Sequence, residues 1–204
     1  MLRRLLQLYI GLVLYGVSTA LFVHANLGAD PWDVFHLGVA KQLGISFGTV
    51  IILTGAAVLL LWIPIRQMPG LGTVSNVIVL GLAADATLAV LPPLESMVAR
   101  SALLVGAIVL NAIATGMYIG AGFGPGPRDG LMTGLHARTG WSLRGIRTAI
   151  ELSVLLIGWL LGGKFGVGTV IYALSIGPLI QLCLPWFRQP VSRKAVSTPQ
   201  EIVS

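Results

Sequence analysis

Shifted against itself by 96 residues, the chain places Gly28 on Gly124, Pro31 on Pro127, Asp33 on Asp129 and Gly38 on Gly134. Gly44 falls on Gly140, Ser46 on Ser142, and Gly72-Thr73-Val74 on Gly168-Thr169-Val170, with no gap over about 75 residues. Apolar residues match cheaply by chance; Gly, Pro and Asp at one fixed offset do not. A period of this kind constrains the fold before anything else is read. It predicts two tandem repeats of about 96 residues, at 1–96 and 97–187, followed by a polar tail at 188–204.

The surroundings of that repeat follow from its charge. Only 10% of the 204 residues are charged, 55% are apolar, and the mean hydropathy is +0.89. Soluble domains carry roughly 25% charged residues, so this chain could not cover its surface in water. Lipid removes the difficulty. The expected fold class is an all-α polytopic membrane protein in a bacterial cytoplasmic membrane, with the bilayer as its surroundings. The 26 glycines suit close helix contact in lipid. A net charge of +6 reads as topology and predicts no nucleic-acid partner. The first segment resembles a secretory signal in its charges and apolar core, but its counterpart in the second repeat argues against cleavage. The lone Cys183 reads as a small buried hydrophobe.

Each repeat divides into three long transmembrane helices and one short helix started by proline. The long ones fall at about 5–23, 46–65 and 73–91, and at about 102–121, 143–161 and 169–185. The short ones fall at about 31–43 and 127–139. Proline suits the first helical position because its missing N–H is not needed there. Asp30 takes the N-cap and Asp33 the first turn, where the helix dipole favours negative charge. In the second repeat Gly126 replaces the capping side chain and Asp129 keeps the first-turn carboxylate.

The charge rule does not choose a topology. With crossing short helices, ten basic residues fall inside and three outside; with non-crossing ones the repeats invert and the score is again ten to three. A short helix that dips and returns would carry Arg138, Arg144 and Arg147 into lipid, at roughly 2.5–3.5 kcal/mol each at mid-membrane. The preferred reading is therefore a short crossing helix, parallel repeats, and both termini cytoplasmic.

The stretch LGADPWDVFHLG, then GISFGTV, then PGLGTVSNVIVLGLAADATL, resembles bacterial membrane proteins of the YczE/YyaS/YitT type. The resemblance covers residues 5–185 and implies a multi-spanning protein for which transport is often supposed. The second repeat keeps Gly, Pro and Asp in FGPGPRDG but has Arg128 where the first has Trp32.

Ionisable groups inside membrane segments are functional candidates because keeping them there is costly. The candidate substrate-binding residues are Asp30, Trp32, Asp33, Asn76, Asp85, Arg128, Asp129 and Gln181. Arg128 has the reach to pair with Asp30 or Asp33. Asp85 and Gln181 are counterparts, as are Asn76 and Tyr172. Asn111 reads as interhelical glue, and Arg147 with Glu151 as an i,i+4 pair. Trp32, Trp62, Trp141, Trp159 and Trp186 fall near segment ends, where indoles prefer the headgroup level. His36 and His136 are not counterparts, which weakens a metal reading.

No Ser-His-Asp, Cys-His or zinc-hydrolase spacing appears, and the glycine stretch lacks a phosphate-loop ending. Neither an enzymatic activity nor a cofactor is expected. The leading expectation is a transporter of an unknown small molecule or ion, with its site at the repeat interface; a homo-oligomer is compatible with it. The alternative is a non-transporting assembly or regulatory partner of a membrane-associated enzyme system, docked through Arg138, Arg144 and Arg147.

Overall fold

The computed structural model describes residues 1–188; the tail beyond Arg188, with Arg193 and Lys194, lies outside the described residues. Every regular element among them is helical: α1 (Leu2–Ala25), α2 (Pro31–Leu43), α3 (Phe47–Ile65), α4 (Leu71–Val90), α5 (Met97–Gly120), α6 (Pro127–Thr139), α7 (Leu143–Leu160) and α8 (Val167–Phe187). Side-chain oxygens cap four of these helices. Asp30 accepts from the Asp33 N–H at 2.7 Å, Ser46 from Thr49, Ser96 from Ala99 and Ser142 from Gly145. The Ser96 cap starts α5 five residues before the expected position.

Five helices, α1, α3, α4, α5 and α8, are long and apolar enough to cross a membrane. The expected sixth, α7, is not among them, because Arg144, Arg147 and Glu151 fall within its 18 residues. Two of those charges cancel locally: Arg147 Nε donates to Glu151 Oε1 at 2.8 Å.

Helix directions follow from contacts at the two ends of the bundle. At the near end, Arg4 on α1 donates to the carbonyls of Ala121 and Gly122, just past α5. Midway, the Asn111 amide donates to Ser18 Oγ at 2.9 Å. At the far end, Arg100 donates to the carbonyls of Ala25 and Asn26. Helices α1 and α5 are therefore antiparallel, and they share the longest seam in the protein. Helix α4 runs with α1: Tyr9 meets Ser75 near one end and His24 meets the Pro92 carbonyl near the other. Helix α8 returns to the near end, where Gln7 donates to the Phe187 carbonyl.

These directions overturn the preferred topology. Helices α5 and α8 run opposite to their counterparts α1 and α4, and the short helices traverse only part of the bundle. Asp30, at the head of α2, shares a cavity with Tyr15 from the middle of α1. Lys41, at the tail of α2, shares a pocket with Asn26 and Lys164 at the far end. Helix α6 likewise begins in the cavity and ends against Ile65 and Gln67 at the near end. The dip carries neither Arg138 nor Arg144 to mid-bundle, because α6 runs outward from the cavity and leaves them near its turn to α7, while Arg147 pairs with Glu151.

The irregular segments that precede the short helices are pinned by backbone bonds. The Gly168 N–H donates to the Leu27 carbonyl at 2.8 Å, and the Gly72 N–H to the Phe123 carbonyl at 2.9 Å. Thr73 Oγ1 adds a bond to the Pro125 carbonyl at 2.8 Å. Gly28 and Gly124 turn with φ of 107° and 113°, which glycine tolerates best. Helix α2 then lies on α7 through Gly38 and Gly158: a Cβ on Gly38 would stand 2.5 Å from the Gly158 carbonyl oxygen.

Two expected interfacial indoles are buried instead, Trp32 at 6% exposed and Trp62. Trp62 is 1% exposed, lies under Gly130, and donates through Nε1 to the Pro127 carbonyl at 3.0 Å. The pocket that α6 leaves by having glycine at 130 takes the ring away from the headgroup level. Trp141, Trp159 and Trp186 are exposed. Cys183 is half-buried rather than buried.

Two outcomes check this arrangement. With Cys183→Ala as background, Lys41→Cys and Lys164→Cys should label from the same side of the membrane; labelling from opposite sides would restore crossing short helices. Replacing Gly158 with leucine should lower stability by roughly 1–3 kcal/mol through overpacking against α2. Gly177→Leu, where a Cβ meets nothing within 4 Å, should leave the melting temperature in detergent unchanged.

Candidate functional site

The heads of α2 and α6 open onto one cavity of about 100 Å³ near the middle of the bundle. The two proline-started helices place polar groups there by the same route. Proline at the first position needs no N–H partner, so the first turn can end in a polar space rather than against backbone. Asp30 and Trp32 enter from α2, and Arg128 and Asp129 from α6. Asn76 enters from α4, and Tyr15, Tyr118 and Tyr172 from α1, α5 and α8.

The two heads touch. Arg128 Nη1 stands 3.5 Å from Asp30 Oδ2, and its guanidinium lies 4.8 Å from the centroid of the Trp32 ring. Trp32 is only 6% exposed, and its indole Nε1 has no hydrogen-bond partner. Asp129 is held differently. Tyr118 OH donates to its Oδ2 at 3.2 Å, and no basic group of the described residues comes within 4 Å of it. The cap positions also differ. The Asp30 carboxylate occupies the head of α2, whereas Gly126 puts no side chain over the head of α6.

Five of the eight candidate residues line this cavity: Asp30, Trp32, Asn76, Arg128 and Asp129. Asp33 is buried just behind it, 2% exposed, with Oδ1 3.3 Å from His36 Nδ1. Asp85 and Gln181 are elsewhere. Asp85 accepts from the Ser46 hydroxyl and from the Gly48 N–H at 2.7 Å, so it ties the head of α3 to the tail of α4. Gln181 is exposed on α8.

Tyr15, Tyr118, Tyr172, His36 and the Arg147–Glu151 pair also line the cavity and are not among the residues expected there from sequence. Their signal was a polar ring or charge on an otherwise apolar helix. Asn111, 2% exposed, bridges Ser18 and Tyr172 and so fixes one of those rings. Among the described residues no group of three His, Cys, Asp or Glu side chains is placed to hold a metal ion.

The chain is 38% identical over 177 residues to an uncharacterized protein of Haemophilus influenzae, covering 87% of this chain and 81% of that one. It is 30% identical to the uncharacterized membrane protein YczE of Bacillus subtilis, covering 87% and 83%, and 23% identical to the uncharacterized protein YyaS of the same organism, covering 86% and 90%. No solved structure matches it. A family model described as "Family of unknown function (DUF6198)" matches residues 2–185. With that span matched and YczE among its relatives, the chain belongs to the DUF6198 family and is a membrane protein of the YczE type.

Proposed function

We propose that this protein carries a small molecule or ion across the bacterial cytoplasmic membrane, through a site where two inverted halves meet. One observation carries the reading: two partial-length helices begin inside the bundle and face each other across a single cavity lined by charges and tyrosines. Irregular backbone at membrane depth is tolerated where it is buried in protein or lines a watery space. Transporters place their sites at such breaks, between inverted repeats. Ion pairs at that depth are costly to keep without a use.

The duplication is part of the proposal. It is supported by the matched pair of backbone bonds, Gly72 to Phe123 and Gly168 to Leu27, in which donors and acceptors both differ by 96 positions. Orientation follows from the basic residues. Arg3, Arg4, Arg66, Arg138, Arg144 and Arg188 gather at the near end, against Lys41, Arg100 and Lys164 at the far end. The near end, with both the first residue and the end of α8, is therefore taken as cytoplasmic. The assembly-partner alternative draws less support, because Arg147 turns away from the proposed docking cluster to Glu151 in the cavity wall. The reading is non-enzymatic.

Purified protein in liposomes should admit at least one solute from a panel of radiolabelled amines, carboxylates and amino acids faster than empty vesicles do. Asp129→Asn and Arg128→Gln should each abolish that flux without moving the melting temperature by more than a few degrees. Unchanged flux in both variants, or no solute entering above the empty-vesicle rate, would sink the transport reading.

A further inference from the structure

We infer that the cavity binds a small zwitterion, about the size of glycine or alanine, with its ammonium at Asp129 and its carboxylate at Arg128. The inference rests on the transport reading and names the class of its substrate.

The charges come first. Arg147 and Glu151 pair at 2.8 Å, and Arg128 stands beside Asp30 at 3.5 Å. Asp129 is left as the carboxylate without a basic partner, held only by the Tyr118 hydroxyl. A half-buried carboxylate facing a cavity among tyrosines suits an ammonium, which gains the charge and a ring face together. A Cβ built on Gly126 would lie 3.2 Å from Tyr118 OH, 3.4 Å from Asp129 Oδ2 and 4.0 Å from Asn76 Nδ2. The missing side chain thus keeps a polar recess open beside that carboxylate.

The opposite pole is a guanidinium with donors to spare. The Trp32 ring lines the cavity, and Arg128 lies over it at 4.8 Å from the ring centroid. The Arg128 guanidinium beside it stands 3.5 Å from Asp30, longer than a charge-assisted hydrogen bond of about 2.7–2.9 Å, so it has donors to offer. A lone cation would leave this pole unused, and a lone anion would leave Asp129 unused.

Size limits the class. An engineered cavity of about 150 Å³ holds benzene, with its six heavy atoms. At about 100 Å³, two-thirds of that volume, this cavity is filled on the same scale by roughly four heavy atoms, so among zwitterions only the smallest fit, with glycine's five reaching its mouth.

Thermal melts and equilibrium dialysis of the detergent-purified protein test the inference, with glycine and alanine against ethanolamine, acetate and phenylalanine. Glycine and alanine should raise the melting temperature by mass action. Ethanolamine lacks the carboxylate, acetate lacks the ammonium and phenylalanine exceeds the space, so each should bind at least about tenfold more weakly. Asp129→Asn should cost glycine at least about tenfold in affinity. Gly126→Ser should do the same by filling the recess, while a serine cap keeps α6 folded. Ethanolamine or acetate binding as well as glycine would overturn the inference in favour of a cation or an anion site. Phenylalanine binding equally, or none of the five binding, would overturn it as well. Glycine bound in detergent but not moved across liposomes would instead defeat the transport reading and leave the ligand class standing. Flux of another solute without glycine binding would do the reverse.

Discussion

Two backbone hydrogen bonds hold the centre of this protein open. In a bilayer an unpaired N–H or C=O has no water to turn to, so a chain that leaves helical geometry at depth must find partners within the protein. The segments before α2 and α6 do so by reaching across the bundle. Leu27 gives its carbonyl to the start of α8, and Phe123 gives its carbonyl to the start of α4. Each bond needs a glycine N–H, because the two backbones approach too closely for a side chain: a Cβ on Gly168 would lie 2.7 Å from the Gly28 oxygen. Without these bonds the chain would favour continuous helices, and no cavity would form between two helix heads.

The polar cavity is bearable because its groups satisfy one another almost completely. Asp30 accepts from Asp33, Asn111 links Ser18 to Tyr172, and Arg147 links to Glu151. Interhelical polar bonds such as those of Asn111 average only about 0.6 kcal/mol, and an i,i+4 pair on one helix adds a similar amount. Their effect is positional: they hold rings and charges in a fixed arrangement around an empty space. The carboxylate of Asp129, held by the Tyr118 hydroxyl, is the group that faces the cavity with capacity to spare.

The helices themselves were legible from sequence, because each leaves a local mark. Proline at 31 and 127, serine at 46 and 142 and the Gly-x-Gly-Thr pattern at 70 and 166 all sit at helix starts. Direction was not legible. Inverted and parallel arrangements place basic residues equally well, and the contacts that decide between them pair side chains with backbone carbonyls. Arg100 on the Ala25 oxygen and Arg4 on the Ala121 oxygen are of that kind, and an acceptor carbonyl has no residue type. Asp85 misled for a related reason: a carboxylate well inside an apolar segment suggests a site, but the start of α3 comes within reach of it only in three dimensions. Trp62 was read by its place near a helix end, whereas its burial depends on a glycine 68 residues further on.

Trp32 and Arg128 occupy corresponding places on α2 and α6, and one stacks over the other. Had both been tryptophan, the two approaches to the cavity would be chemically alike, and the molecule would have no front or back at its centre. With a positive side chain at this place on one helix and an uncharged ring on the other, the electric potential across the cavity is uneven. On the transport reading proposed above, a charged solute would meet that step early from one side and late from the other. The protein therefore has a built-in polarity at its centre, set where Arg128 and Gly126 on α6 stand against Trp32 and Asp30 on α2, and separate from how the chain is inserted in the membrane.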